Sequence, residues 1–127
     1  MKKNKFSKNW IIKQKRDIYV KKSKLEGYRS RAVYKLQEIN DKFKIIKNNI
    51  SVIDLGAAPG SWSQYISRNF SNSKIISIDL KDIDPIKNLV HIKGDFTEEQ
   101  QKKNIKNYFG KKVDLIVSDM AVNTTGN

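Results

Sequence analysis

The chain has 127 residues, enough for one domain with a core but few for an open α/β fold that must cover both faces of a sheet. It has no cysteine and one histidine, His91, which excludes disulfides and thiolate metal centres and leaves no histidine cluster for zinc, so no metal is expected. The net charge of +13 is lopsided: residues 1–47 hold sixteen Lys/Arg against four Asp/Glu, residues 48–127 ten against nine.

A basic surface concentrated in this way is the footprint of a phosphate-backbone partner, and nucleic acid leads the candidates. Codon bias competes with that reading, because 22 of the 26 basic residues are lysine, but bias alone would load both segments. No apolar run approaches the ~20 residues of a membrane span, and the Lys-rich N-terminus lacks the apolar centre of a secretion signal. A cytoplasmic chain without membrane contact is expected.

Residues 1 to 9 are polar and expected to fray, and the scattered apolar residues from Trp10 to Lys24 suit a helix that ends near Gly27. Ser30 can cap a second helix, in which Val33, Leu36, Ile39 and Phe43 recur at three- to four-residue spacing and form one apolar face. Lys35 sits off that stripe. From Ile50 the pattern changes to short β-rich runs at 50–55, 74–79, 89–92 and 113–118, with helical segments from Trp62 to Phe70 and from Thr97 to Tyr108. Strands alternating with helices read as parallel βαβ units.

Between the first run and the helix that follows it lies Asp54-Leu-Gly-Ala-Ala-Pro-Gly-Ser-Trp-Ser-Gln64. That is a strand end, a Gly-rich turn and a helix start, where glycines let backbone approach a ligand and the first-turn N–H groups favour an electron-rich guest. A nucleotide-like cofactor is the natural occupant. Gly-x-x-x-Gly with Pro59 inside it departs from the Gly-x-Gly-x-x-Gly of dinucleotide sites, and no Gly-Lys-Ser/Thr follows to make a phosphate loop.

Ligands of doubly wound sheets sit beyond the carboxyl ends of the strands, which draws attention to four acids. Asp79 ends Ile75-Ile-Ser-Ile-Asp79, about where an acid accepts from ribose hydroxyls; a helix cap or turn is the competing role. Asp95 follows Gly94 and could accept from an exocyclic amine, though Gly-Asp is equally an ordinary turn. Asp119 ends the last β run and opens a polar loop, while Asp54, inside the end of the first strand, is placed to orient the Gly turn. His91 alternates with apolar neighbours and reads as structural. Trp62 could wall a cofactor pocket or simply pack in the core.

Ser30-Arg-Ala-Val-Tyr-Lys-Leu-Gln-Glu-Ile39, the Asp54–Gln64 turn, Asp79-Leu-x-x-x-Asp-Pro85, Gly94-Asp-Phe96 and Ser118-Asp-Met-Ala121, in this order, closely resemble the FtsJ (RrmJ) family of ribose 2'-O-methyltransferases. The resemblance runs from about Trp10 to the last residue. It implies a Rossmann-like α/β methyltransferase fold with a mostly parallel sheet, and S-adenosylmethionine lying over the Gly turn. It further implies contacts to that cofactor from Gly60, Trp62, Asp79, Asp95 and Asp119. The implied reaction moves a methyl group to a ribose 2'-hydroxyl of RNA, a uridine of large-subunit ribosomal RNA or of the assembled subunit, by a protein that is monomeric at full length.

The family's Lys-Asp-Lys-Glu tetrad is matched by Lys35 and Asp119 as catalytic residues, and its second Lys and Glu have no match in these 127 residues. A missing C-terminal part with the later strands is therefore expected, leaving 113–118 as an exposed edge and the fold weakened. Residues 1–47 would be a basic, RNA-binding helical segment of the same domain, and residues 48–127 the S-adenosylmethionine-binding half. Activity of the chain alone is open, against a non-catalytic RNA-binding remnant or one half of a split enzyme. Two departures stand out: Val122 where relatives commonly carry Pro, expected to loosen the loop holding Asp119, and a harmless Ser61 where many have Gly.

Overall fold

The β-branched runs after Ile50 build the sheet of a computed structural model that describes residues 5–110 and 113–120, with the backbone alone described for Lys5 and Phe6. Its strands are β1 (Ser51–Leu55), β2 (Lys74–Asp79), β3 (Leu89–Lys93) and β4 (Leu115–Ser118), and its helices α1 (Lys5–Glu26), α2 (Val33–Phe43), α3 (Ser61–Asn69) and α4 (Glu99–Phe109). All strand pairs are parallel, in the order β3-β2-β1-β4.

Parallel strands are covered on both faces, which explains their apolar character. On one face Val52, Ile75 and Val117 pack with Val33 and Leu36 of α2 and Trp62 and Ile66 of α3; on the other Ile53, Ile76 and Ile78 pack with Phe109 and Ile105 of α4. The order 3-2-1-4 reverses direction between β1 and β4, so a crevice opens beyond their carboxyl ends, where open α/β sheets take ligands. β4 pairs with β1 alone among the described residues, and Ile116 is 59% exposed, in keeping with the expected exposed edge.

The sheet and helices fall close to the elements read from sequence, with instructive differences. α1 starts at Lys5, well before Trp10, so the helix takes in residues expected to fray. Ser30 does not cap α2: the N-cap is Ala32, without a side-chain bond, and the Ser30 hydroxyl is instead bonded to Ser61 Oγ at 2.8 Å. Phe43 leaves the apolar face and is exposed. The 113–118 run becomes strand only at Leu115, because Asp114 is engaged sideways: its carboxylate accepts from the Ser51 N–H and its own N–H donates to the Ser51 carbonyl, at 2.8 and 2.9 Å. Val122 and the loop beyond Met120 lie outside the described residues, as do Lys2 and Lys3.

α1 is held at its C-terminal end. Tyr34 donates to Glu26, Arg68 donates to the carbonyls of Glu26 and Gly27, and the Arg68 guanidinium lies 4.6 Å from the Tyr28 ring centroid. The Arg68 cation meets the negative end of the helix, where it is stabilising. From Ser7 to Tyr19 every residue of α1 is exposed. Among the described residues no helix is long and apolar enough to cross a membrane.

Candidate active site

The end of β1 delivers Asp54 into the interior and then turns sharply. Gly56 (φ +65°) and Gly60 (φ +109°) hold the left-handed conformations that only glycine adopts without strain, and the Ala58–Pro59 peptide bond is cis. Gly56 N–H donates to the Ile78 carbonyl at 2.8 Å, tying the turn to the end of β2. A Cβ on Gly56 would run into Met120, so the turn and the segment after β4 close on each other.

Two cavities open on either side of the Asp119–Met120 pair. The first, of about 410 Å³, is lined by Gly56, Ile78, Asp79, Leu80, Gly94, Asp95, Phe96 and Met120. The second, of about 540 Å³, is lined by residues of α1, α2 and the segment between them, with Lys35 and Asp119 on its wall. A recess of about 50 Å³ between Asp54, Gly56, Ala57, Ser61 and Asp119 lies at the base of the turn. Both larger volumes fall in the range that holds small ligands.

Asp79 closes the first cavity at the end of β2. Its two oxygens accept from the N–H groups of Ala58 at 3.0 Å and Lys81 at 2.9 Å, which makes it a brace for the Gly turn. A carboxylate offers about four acceptor positions, so roughly two remain for hydroxyl donors. Asp95 forms the turn that its Gly-Asp sequence equally suggested: Oδ1 accepts from both the N–H and the hydroxyl of Thr97, and these bonds lower its pKa. Its carboxylate still lines the cavity, beside the ring of Phe96.

Lys35 Nζ and Asp119 Oδ1 meet at 3.2 Å, bringing together residues 84 apart in sequence, from α2 and from the end of β4. Asp54 is 2% exposed and accepts from Ser63 Oγ at 2.7 Å. Burial pushes its carboxyl up to about 6 against the opposing Ser63 bonds, with the charges of Asp119 and Asp79 adding to the rise.

Gly60 and Trp62 stand apart from the two larger cavities. The missing Cβ of Gly60 makes room for Arg29 and Ile86, 2.9 and 3.2 Å from where a Cβ would sit. The Trp62 indole is buried in the core and donates to the Ala32 carbonyl at 2.7 Å, so packing is its main work, and it lines the small recess. His91 is structural: its Nε2 lies 2.9 Å from the Lys81 carbonyl, which leaves Nδ1 to accept from the Ser77 hydroxyl at 2.7 Å.

One residue of the site had no signal in the sequence. Arg29, counted there among the basic excess, donates to the carbonyls of Pro59, Asp84 and Pro85 at 2.9, 2.8 and 3.1 Å and clamps the Gly turn to the β2–β3 loop. Its N–H is held in turn by Gln64 Oε1 at 2.8 Å.

A 3-2-1-4 parallel sheet with a glycine turn at the switch point, an acid ending β2 and an acid ending β4 defines a Rossmann-like α/β domain of the methyltransferase kind. Residues 28–127 match the family model described as FtsJ-like methyltransferase, and the chain belongs to that family. It is similar to the ribosomal RNA large subunit methyltransferase E of Pelagibacter ubique, 64% identical over 126 residues that make up 99% of this chain and 62% of the relative. The protein of that name from Rickettsia akari is 48% identical over 127 residues, 95% of this chain and 56% of the relative. A crystal structure described as that of a ribosomal RNA methyltransferase from Plasmodium falciparum superposes with a TM-score of 0.70 at 40% identity, covering 79% of this chain and 60% of that one. The chain thus spans about six tenths of the length of the relatives it matches.

Proposed function

We propose that this chain forms the cofactor site and part of the RNA site of an S-adenosylmethionine-dependent ribose 2'-O-methyltransferase acting on large-subunit ribosomal RNA in the cytoplasm, with a uridine as target. The observation that carries the reading is the position of Asp119: it is ion-paired to Lys35 on the wall of one cavity, and its neighbour Met120 walls the other. A methyl donor on one side and a hydroxyl acceptor on the other would meet there.

The residues of the first cavity fit the cofactor. Asp79 keeps acceptor positions for ribose hydroxyls, Asp95 and Phe96 offer a carboxylate and a ring to an adenine, and the bare Cα atoms of Gly56 and Gly94 make room for the side chains of Met120 and Gln101. Gly60 and Trp62 would act through the backbone of the turn and the first turn of α3. Bound there, S-adenosylmethionine supplies an electrophilic methyl group on a cationic sulfur.

In-line transfer to a ribose 2'-oxygen needs alignment and loss of the hydroxyl proton. Asp119 holds the Lys35 ammonium through one oxygen at 3.2 Å, and the side chain, 67% exposed, keeps its other N–H donors for ribose oxygens. The acidic partner keeps that ammonium at the cavity wall. The second lysine and the glutamate of the family's tetrad have no match here, so the pair is assigned to positioning the ribose. Residues 1–47 would grip RNA phosphates, and 48–127 would hold the cofactor.

Calorimetric titration of the folded 127-residue chain with S-adenosylmethionine, with NAD as control, tests this reading. Saturable binding of the first and not the second supports it. A folded chain that binds neither, yet binds RNA, would replace it with a non-catalytic RNA-binding role.

A further inference from the structure

Resting on the RNA reading above, we propose that Tyr19 of α1 is a stacking platform for a nucleobase of the RNA, in the same cavity that holds the Lys35–Asp119 pair. The cavity of about 540 Å³ is lined by Tyr19, Ser30, Arg31, Ala32, Tyr34, Lys35, Glu38 and Asp119. Its wall combines an aromatic face, the Arg31 guanidinium and the Lys35–Asp119 ion pair, the three kinds of group that a base, a phosphate and a ribose require.

The two tyrosines of the cavity are in different situations. Tyr34 is 8% exposed and fully employed: its hydroxyl donates to Glu26 at 2.8 Å, Tyr28 meets it edge-on at 6.4 Å, and Lys22 Nζ sits 4.6 Å from its ring centroid. Tyr19 rests on Tyr34 with ring centroids 5.4 Å apart and planes 31° from parallel, and it remains 45% exposed. Its ring is therefore positioned by one aromatic neighbour while still offering surface to the cavity. An unpaired RNA base is recognised by such surfaces, because every base has a π-face and stacking tolerates sequence. A nucleotide whose ribose lies at Lys35 and Asp119 has its base one glycosidic bond away, inside the volume that Tyr19 walls.

Fluorescence anisotropy on the whole chain tests this with two 5'-labelled probes, an eight-nucleotide oligouridylate and an abasic ribose-phosphate strand of the same length. The chain is expected to bind the oligouridylate more tightly, and Tyr19→Ala to lose about five- to tenfold on that probe. The same change should leave the abasic affinity and the salt slope in place. Tyr19→Phe keeps the preference. Tyr19→Leu, which retains an apolar contact to Tyr34 but has no ring, loses it, separating stacking from the docking of α1. Equal binding of both probes by the unmodified chain overturns the proposal, as does a preference that survives Tyr19→Leu or is lost in Tyr19→Phe. No binding of either probe at low salt removes the RNA reading itself, and the platform with it.

Discussion

Gly56 and Met120 occupy one space from two sides of the switch point: a Cβ built on Gly56 meets the Met120 side chain, with Sδ at 2.9 Å. Met120 is 44% exposed and can move outward, so Gly56→Ala is relieved sterically and keeps mainly the strain of its left-handed backbone, about 1–2 kcal/mol. The displaced Met120 is a wall of the proposed cofactor cavity. We expect a modest fall in melting temperature and a disproportionate loss of S-adenosylmethionine affinity, read by calorimetry on the folded variant.

Asp79→Ala should raise the cofactor dissociation constant tenfold or more, since hydrogen bonds to a charged group contribute roughly 1.5–3 kcal/mol. RNA affinity should hardly change. Asp79 also receives the Ala58 and Lys81 N–H groups, so Asp79→Asn, which retains one acceptor oxygen, is the milder variant for comparison. An unchanged cofactor constant in Asp79→Ala removes the ribose assignment.

Asp54 carries a pH signature. Its folded carboxyl titrates near 6, above its ordinary value of 3.8, because burial opposes the charge. A group raised on folding stabilises fully below the unfolded value, and that contribution is lost as pH climbs through the folded one. Stability should therefore fall between about pH 4 and 6 by roughly 2–3 kcal/mol from this residue. Asp54→Asn keeps an acceptor for Ser63 and cannot ionise, so its melting temperature should stay flatter over that interval.

The parts of the site legible in the sequence are those written locally. A β-rich run, a glycine turn and a helix start lie within fifteen residues of one another, and the left-handed backbone that the turn demands leaves glycine as its mark. Ser30 was misread as a cap because its partner, Ser61, lies 31 residues away. The Arg29 clamp escaped for the same reason: its acceptors are backbone carbonyls, which every residue has, and only folding selects three of them. Asp95 was readable as both a turn residue and a cavity residue, and the structure has it as both.

Arg29→Gln should loosen the Gly turn from the β2–β3 loop and lower stability by about 1–3 kcal/mol, the scale of charge-assisted hydrogen bonds. Arg29→Lys should rescue little, because a single ammonium cannot reproduce a planar fork over three carbonyls. RNA affinity should be nearly unaffected, as the guanidinium is spent within the protein. A large RNA effect with unchanged melting would reassign Arg29 to the RNA site.

Replacing Lys2, Lys3, Lys5 and Lys8 with Gln should weaken RNA binding and reduce the slope of log affinity against log salt by up to about 3, at ~0.7 per single-strand phosphate contact. Cofactor affinity serves as the internal control. Binding indifferent to both salt and these changes would attribute the N-terminal lysines to codon bias.

α1 is anchored from Tyr19 onward, and the part of the helix before that anchor is about 21 Å long. If the half before Tyr19 grips phosphates, the helix works as a ruler. At ~3.4 Å per phosphate along one strand of a duplex, that length corresponds to about six nucleotides. RNA shorter than this could reach the Lys35–Asp119 pair or the outer lysines, but not both, so affinity should rise with substrate length and level off once the span is bridged.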